Sequence, residues 1–284
     1  MYKILEKQSL TPSIHLFKLD APRVAAKASA GQFVIIRNGD KGERIPLTLA
    51  DWDAAEGTVT VVFMEVGKTT VELATLKAGD SLSDFAGPLG LPTHIDNYGT
   101  VVCVAGGFAV ATIMPIARAL KQAGNRVITI MGFRSKELLF WEKEVGRWSD
   151  ELVITTDDGS YGRKGLVTEP LRDLLAAPDN NISRVIAIGP TVMMKFVSKT
   201  TEPFKTRTLV SLNPVMVDGT GMCGCCRVTV DGETRFACVD GPDFDGHLVD
   251  WDELMARQKS YLAEEVKSLE QWKCQRGTCQ TEGK

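Results

Sequence analysis

The sequence predicts an antiparallel β-barrel followed by a doubly wound parallel α/β sheet, with a small cysteine-rich module after the sheet. Short β-branched runs separated by glycines fill the first third of the chain, strand-like and helix-like runs alternate through the middle, and six of the seven cysteines lie at or beyond residue 223. We expect the barrel at 1–98, the α/β domain at 99–212, the cysteine-rich module at 213–249, and a C-terminal helix and tail at 250–284.

The composition is that of an ordinary globular protein. The 284 residues include 33 Lys and Arg against 36 Asp and Glu, a net charge of −3, with 44% hydrophobic residues. This balance argues against a nucleic-acid-binding protein driven by a basic surface, and against a wholly disordered chain. Charges interrupt the N-terminus, and the uncharged run 101–117 contains two glycines and a proline. We therefore expect no signal peptide, no membrane span and a cytoplasmic location.

The barrel is predicted from runs rich in Val, Ile and Thr at 34–36 and 58–63, with glycines at the turns between them. Short strands at this spacing are typical of small antiparallel barrels. The motif Arg44-Ile45-Pro46-Leu47-Thr48 lies in this half. An Arg can bind a phosphate through two hydrogen bonds, and a Thr can offer its hydroxyl and amide to a ring system. By composition alone, the same residues are an unremarkable strand.

The α/β domain is predicted from alternating strands and helices. The strand-like runs are 101–105, 126–131, 152–155, 185–188 and 208–210, and the helix-like runs include 109–122, 167–177 and 192–200. The carboxyl ends of such parallel strands line a ligand crevice.

Three short motifs follow strands at this predicted edge. Gly106 and Gly107 precede a helix, where glycines let a phosphate approach backbone amides, although a tight turn without a ligand has the same signature. The motif Asp157-Asp158-Gly159-Ser160 follows the third strand, where a plain surface loop is the alternative. Gly189 and Pro190 follow the fourth strand.

The cysteines give the most specific pattern. Cys223 and Cys226 are followed by Cys238, and Asp218 stands where a Cys-x4-Cys-x2-Cys site of the plant type has its first ligand. These four residues are the candidate ligands of a 2Fe-2S cluster. A zinc site and buried inert thiols are the alternatives, and Asp218-Gly219 is also an ordinary turn dipeptide.

The C-terminal part predicts a hairpin and a helix. Runs 227–230 and 233–238 flank Asp231-Gly232, a strong tight-turn signal. Apolar residues recur at helical spacing over 250–273, with Asp250 at the N-cap. We expect one helix packed on its own protein, and a docking helix for a partner subunit is the alternative. Cys274 and Cys279 can be a labile disulfide, partner-bound ligands or free thiols, and we expect no cofactor there.

The order of these motifs, with Gly87-Pro88-Leu89-Gly90 at the barrel's end, resembles the ferredoxin–NADP reductase superfamily. The stretches 211–227 and 236–247 resemble the small subunits of NADH-dependent ferredoxin:NADP oxidoreductases, which are electron-bifurcating transhydrogenases also named sulfide dehydrogenases (polysulfide reductases). The resemblance covers about residues 1–255. Electron-transfer subunits of NAD-dependent dihydroorotate dehydrogenases are the related alternative. Their first cluster ligand is Cys, so Asp218 favours the transhydrogenase branch.

The resemblance implies a role for each motif. The residues expected to bind FAD are Arg44, on the pyrophosphate, Pro46, Leu47, Thr48, near the reactive flavin nitrogen, and Gly67, Lys68, Thr69 and Thr70, near a phosphate or ribose. Those expected to bind NAD(H) are Gly106, Gly107, Asp157, Asp158, Gly159, Ser160, Gly189 and Pro190. The ligands of the 2Fe-2S cluster would be Asp218, Cys223, Cys226 and Cys238.

The implied function is electron transfer between NAD(H), FAD and the cluster, with hydride exchanged at the flavin and single electrons at the cluster. No side chain is assigned an acid or base role. The implied partner is a large flavin and iron–sulfur subunit resembling the glutamate synthase small chain, with ferredoxin reached indirectly, and we expect no nucleic-acid or membrane partner. On the residues alone, a zinc- or disulfide-stapled binding module without electron transfer stays open.

Overall fold

The computed structural model describes residues 1–40, 42–179 and 181–276. The first sheet is antiparallel and consists of β1 (Tyr2–Thr11), β2 (Ile14–Asp20), β3 (Phe33–Arg37), β4 (Ile45–Asp53), β5 (Thr58–Met64), β6 (Ser81–Leu82) and β7 (Asp84–Leu89). Its strand order is β6-β1-β2-β5-β4-β3-β7, which curls into a nearly closed barrel. Two helices, α1 (Pro22–Ala25) and α2 (Lys68–Thr75), lie in the connections.

Strand β3 is buried on both faces. Side chains alternate across a strand, and Val34 and Ile36 point into the barrel core together with Leu47 of β4. Phe33 and Ile35 point the other way, into a second core. The barrel therefore contributes one strand to the hydrophobic core of the rest of the molecule.

The second sheet contains five long parallel strands and the short parallel strand β11. These strands are β8 (Thr100–Gly106), β9 (Arg126–Phe133), β10 (Glu151–Thr156), β11 (Arg163–Lys164), β12 (Ile182–Ile188) and β13 (Arg207–Ser211). The order β11-β10-β9-β8-β12-β13 reverses direction at β8, as in doubly wound nucleotide-binding sheets. The fold class predicted from the sequence is confirmed.

Helices cover both faces of this sheet, as the alternating pattern predicted. They are α3 (Val110–Gln122), α4 (Glu142–Gly146), α5 (Thr168–Ala176) and α6 (Thr191–Thr201). On β8, Val101 and Cys103 pack in the core under α3, while Val102 and Val104 pack with α5 and α6. Burial on both faces explains the continuous apolar run of β8. Burial also raises the pKa of Cys103 to about 12, which leaves its thiol un-ionised.

The cysteine-rich module contains the predicted hairpin, formed by β14 (Arg227–Val230) and β15 (Glu233–Phe236), and a further strand, β16 (Asp243–Asp245). Strand β16 pairs antiparallel with β13, at the edge of the parallel sheet. Asp231 and Gly232 have positive φ angles, which the tight turn between β14 and β15 requires. The module is thereby joined to the α/β domain by backbone pairing.

The C-terminal region differs from the single predicted helix. It forms two helices, α7 (Trp251–Gln258) and α8 (Leu262–Gln275), with a break between them. The Asp250 side chain accepts a hydrogen bond from the Glu253 amide at 2.9 Å, so the predicted N-cap is confirmed. Trp251 and Leu254 are buried, whereas α8 contacts α2 without burying any residue. The expectation of packing on the same protein therefore holds for α7, while α8 contacts α2 of the same chain only through side chains that stay exposed or half-buried. Cys274 lies in α8, and Cys279 falls outside the described residues.

No helix within the described part of the chain has both the length and the apolar character needed to cross a membrane.

We predict that Ile35→Ala destabilises the protein by about 2–5 kcal/mol, because it leaves a cavity in the core that β3 shares with the parallel sheet and the cysteine-rich module. Ile35 is 0% exposed. Denaturant unfolding measures the change. Leu5→Ala, at a side chain that is 44% exposed, is the control and should change stability by no more than about 0.5 kcal/mol. Equal effects of the two variants would contradict the shared core.

Candidate functional site

Two glycines stand at the carboxyl edge of the parallel sheet, where the strand order reverses. Gly106 ends β8, and Gly189 follows its neighbour β12. A Cβ atom on Gly189 would lie 3.1 Å from the Gly106 Cα, and one on Gly106 would lie 2.9 Å from Pro190 Cδ. The two strand ends thus meet closely because both residues are glycine. A switch point of this kind is where nucleotides bind in open α/β sheets.

Gly107 opens the turn into α3. It has a φ of +59°, and no atom lies within 4 Å of the position that a Cβ would occupy. Open space at a strand-to-helix turn leaves room for a ligand to approach the backbone amides at the helix start. This combination of positive φ and free space is what the predicted phosphate turn requires.

The loop after β10 is shaped by its own side chains. The Asp158 carboxylate accepts hydrogen bonds from the Ser160 amide at 2.9 Å and from the Ser160 hydroxyl at 2.6 Å. The hydroxyl hydrogen bond keeps the pKa of Asp158 below its usual value, so the carboxylate is ionised at neutral pH. Gly159 sits between them with a φ of +78°. Asp157 is exposed beside this turn, and its carboxylate has no part in shaping it.

The barrel presents its predicted residues on two faces. Pro46 pairs with Ile35 and Thr48 with Phe33, so these four side chains share the outer face of β3 and β4. Leu47 faces the barrel core and offers a ligand only its backbone.

The Arg44 motif and the start of α2 lie together. The Thr69 hydroxyl donates to the carboxylate of Glu43, the residue next to Arg44. The Thr70 hydroxyl accepts from the Gly67 amide at 3.1 Å and so caps the helix. Two motifs that are more than twenty residues apart in the sequence thus form one polar region of the barrel.

The cysteine-rich loop holds one buried pair of sulfur atoms. The Sγ atoms of Cys226 and Cys238 are 3.2 Å apart, and each residue is 2% exposed. The Gly221 amide donates to Cys238 Sγ at 3.2 Å. In the metal-free chain, burial raises the pKa of the Cys238 thiol to about 12.

The other two candidate ligands, here called the exposed pair, are less buried, since Cys223 is exposed and Asp218 is half-buried. Hydrogen bonds from the Cys225 backbone and from the Asp218 backbone lower the pKa of the Cys223 thiol, so Cys223 lies close to Asp218. The pKa of Asp218 is lowered mainly by a hydrogen bond from the Thr220 hydroxyl.

The donor set fits a two-iron cluster. A two-iron cluster takes two protein ligands on each iron, which matches a buried pair and an exposed pair. The amide directed at Cys238 Sγ is also a typical means of stabilising a coordinated thiolate.

Three arginines hold the backbone of this loop. Arg44 Nε lies 2.9 Å from the carbonyl oxygen of Val217, and its Nη2 lies 3.4 Å from that of Asp218. Arg227 donates to the Gly224 carbonyl at 3.3 Å and Arg257 to the Cys225 carbonyl at 3.2 Å. No local pattern predicts the contacts of Arg44 and Arg257, because both arginines lie far from the loop in the chain.

Comparison with known proteins covers nearly the whole chain. Residues 213–250 match the model for the iron–sulfur cluster binding domain of dihydroorotate dehydrogenase B. The dihydroorotate dehydrogenase B (NAD(+)) electron transfer subunit homolog of Thermotoga maritima is 48% identical, covering 95% of each chain. The corresponding electron transfer subunit of Streptococcus pneumoniae is 31% identical, covering 85% of this chain and 94% of its own.

The chain belongs to the dihydroorotate dehydrogenase B electron-transfer subunit family, within the ferredoxin–NADP reductase superfamily.

A solved structure extends the likeness to the backbone. A chain from a structure described as an NADH-dependent reduced ferredoxin–NADP oxidoreductase, studied for flavin-based electron bifurcation, is 47% identical. The match covers 96% of this chain and 98% of the other, with a TM-score of 0.90. The resemblance predicted from the sequence motifs is confirmed.

The structure groups the predicted residues of this family member in three places. The NAD(H) candidates lie on the carboxyl edge of the parallel sheet, the FAD candidates on β4 and the start of α2, and the cluster candidates in the loop 217–226 with Cys238. The loop contacts the barrel directly at Gly219, where a Cβ atom would lie 2.8 Å from side-chain atoms of Ile35 and Leu89.

We predict that Gly219→Ala reduces the iron content of the purified protein by about tenfold, since the added methyl forces the loop off the barrel at an estimated cost of about 1–3 kcal/mol. Gly232→Ala is the matched control, because Gly232 also has positive φ but no atom within 4 Å of a Cβ position. Iron and acid-labile sulfide analysis measures both variants. Equal iron loss in the two variants would show that strain at a positive φ angle, and not the contact of Gly219 with the barrel, is responsible.

Proposed function

We propose that this chain is the electron-transfer subunit of an NADH-dependent ferredoxin:NADP oxidoreductase of the electron-bifurcating kind, moving electrons between NAD(H), FAD and a 2Fe-2S cluster. The observation that carries the proposal is the match over 96% of the chain, at 47% identity, to the solved oxidoreductase chain. The candidate sites are consistent with this, because the barrel, the sheet edge and the cysteine loop each provide a separate place for one redox group.

The proposed flavin site is the outer face of β4 together with the start of α2. A bound flavin exchanges hydride with nicotinamide and single electrons with an iron–sulfur cluster. Pro46 and Thr48 would line the ring site, and Leu47 would contribute backbone only, since its side chain is 8% exposed in the barrel core. The capped start of α2, with Gly67, Lys68, Thr69 and Thr70, would bind phosphate or ribose oxygens.

The proposed NAD(H) site is the carboxyl edge of the parallel sheet. Gly106 and Gly189 let the ends of β8 and β12 meet closely, and Gly107 would let the dinucleotide phosphates approach the amides that begin α3. Pro190 follows β12 at this edge, and Asp157, Asp158, Gly159 and Ser160 would lie at its far end, after β10. These residues bind and orient the dinucleotide, and none of them needs to transfer a proton.

The proposed cluster ligands are Asp218, Cys223, Cys226 and Cys238. Cys226 and Cys238 would hold the buried iron, and Asp218 and Cys223 the exposed one. Because Asp218 is a carboxylate, the ligand set keeps four negative charges, and the net charge of the site is one control on its reduction potential.

A partner subunit is implied, since the relatives are named as electron transfer subunits. We propose a large flavin and iron–sulfur subunit resembling the glutamate synthase small chain, in the cytoplasm, with ferredoxin reached through it. Exposed apolar side chains surround the exposed ligand pair and support a docking role, with Val217 at 43%, Met222 at 86% and Val239 at 40% exposure.

The alternative is the electron-transfer subunit of an NAD-dependent dihydroorotate dehydrogenase, the description carried by the relative that is 31% identical, while the relative that is 48% identical is described as a homolog of that subunit. The partner decides between the two. If an orotate-reducing partner, but not a transhydrogenase partner, forms a complex that accepts electrons from NADH through this chain, the alternative is correct.

The first test is the cofactor content of the complete chain after anaerobic purification. We expect about one FAD, with about two iron and two sulfide ions, per chain, the composition of one 2Fe-2S site beside one flavin. A folded chain with neither flavin nor iron would overturn the proposed function.

We predict that Cys226→Ser abolishes the 2Fe-2S cluster and leaves FAD bound, because the cluster ligands and the flavin site lie on different elements. Cys225→Ser is the control, since Cys225 is not a proposed ligand. Absorbance spectra with iron and flavin analysis measure both. Equal loss of flavin and iron from Cys226→Ser would show that the two sites are not separable.

We predict that Gly107→Ala weakens NADH binding by about tenfold, since an added methyl in a tight contact costs roughly 1–3 kcal/mol. Gly79→Ala, at another glycine with positive φ and open space around it, is the control. Titration with NADH measures the affinity. Unchanged NADH affinity in Gly107→Ala would show that the dinucleotide phosphates do not bind at this turn.

A further inference from the structure

Arg44 contacts the cluster loop, although the resemblance assigned it to the flavin pyrophosphate. Its guanidinium donates from Nε to the Val217 carbonyl at 2.9 Å and from Nη2 to the Asp218 carbonyl at 3.4 Å. We infer that Arg44 is a positioning residue that holds the Asp218 half of the cluster loop against the barrel, and so fixes the cluster relative to the flavin site. This inference rests on the proposed function.

The contact uses the geometry that distinguishes Arg from Lys. Nε and one Nη atom form a planar edge that donates two hydrogen bonds in a fixed direction. Here that edge meets two successive carbonyls, at Val217 and Asp218, so it fixes the orientation of the peptide as well as its position. The other Nη group is left for another acceptor. One guanidinium can therefore hold the loop and still reach a phosphate on the barrel.

Packing at the next residue supports the same placement independently. Gly219 has a φ of +81°, and a Cβ there would lie 2.8 Å from Ile35 Cγ1 and from Leu89 Cδ1. The loop backbone thus lies directly on β3 and β7. Polar contacts at 217–218 and packing at 219 hold the same short stretch of the loop on the barrel.

The second half of the loop is held differently. Arg227 and Arg257 donate to the carbonyls of Gly224 and Cys225, and these arginines come from β14 and α7. The buried pair, Cys226 and Cys238, therefore depends on the cysteine-rich module and α7. The exposed pair, which includes Asp218, depends on the barrel. Loss of Arg44 should disturb the Asp218 side of the cluster and leave the Cys226 side in place.

The test compares Arg44→Gln and Arg44→Lys with Arg235→Gln in the complete chain purified anaerobically. Arg235 is the matched control, because it lies on β15, in the same module as the cluster loop. Its guanidinium donates a hydrogen bond to the Glu233 carboxylate at 2.6 Å. The measurements are FAD and iron content, the electron paramagnetic resonance spectrum and midpoint potential of the reduced cluster, and the rate at which NADH reduces the cluster.

Both Arg44 variants should keep their iron but show altered g values of the reduced cluster. Reduction of the cluster by NADH should slow by about tenfold or more, because rates fall steeply when two reacting groups are displaced from each other. Arg44→Gln should also shift the midpoint potential to a more negative value, because a positive charge beside the ligands is lost. Arg44→Lys keeps that charge and should shift the potential less, without restoring the rate. Arg235→Gln should match the wild type in every measurement.

Loss of FAD from the Arg44 variants with an unchanged cluster spectrum and potential would overturn the inference, since Arg44 would then act on the flavin alone. Hydrogen exchange at residues 217–222 of the cofactor-free chain gives a second readout, with faster exchange expected in Arg44→Gln than in Arg235→Gln. Equal exchange in the two would also overturn it. A wild-type chain without flavin and iron would instead overturn the proposed function, whatever the exchange rates.

Discussion

Burial of β3 on both faces is the constraint on which the arrangement of the three parts depends. Val34 and Ile36 belong to the barrel core, and Phe33 and Ile35 belong to the core that also contains Cys226, Cys238 and the inner residues of the parallel sheet. A strand packed in two cores cannot shift without opening a cavity in one of them, because protein interiors are close-packed. Packing around β3 therefore holds the barrel and the cysteine-rich module in one relative position.

Hydrogen bonds then orient the backbone of the cluster loop within the arrangement that packing has set. The cluster loop has many backbone carbonyls and few side chains that can cover them, so arginines from three different elements supply the donors. Charge-assisted hydrogen bonds of this kind are stronger than neutral ones and impose direction. They also place positive charge around a loop whose candidate ligands are all anionic when they bind metal.

A different physical factor shapes the carboxyl edge of the parallel sheet, where we propose the nucleotide site. The parallel strands are buried on both faces, so their side chains are committed to the two cores, and only the strand ends are free to meet a ligand. Gly106 and Gly189 remove side chains where β8 and β12 end, and Gly107 turns the chain into α3 with positive φ. The proposed nucleotide site at this edge would therefore use backbone groups, while the Asp158–Ser160 hydrogen bonds give the neighbouring loop its shape.

The sequence by itself determined the elements and the chemical types of the sites. Apolar runs marked β8, β9, β10, β12 and β13, Asp231-Gly232 marked the hairpin, and the spacing of Cys223, Cys226 and Cys238 from Asp218 marked a cluster site, because these signals are local. Local signals could not show that the helix predicted at 250–273 breaks between α7 and α8, since apolar spacing continues through the break. Only the tertiary structure decided that Leu47 faces the barrel core, that the candidate ligands divide into a buried and an exposed pair, and that Arg44 reaches the carbonyls of Val217 and Asp218. The physical reason is that these contacts join residues far apart in the chain, and their partners are chosen by how the two cores pack around β3.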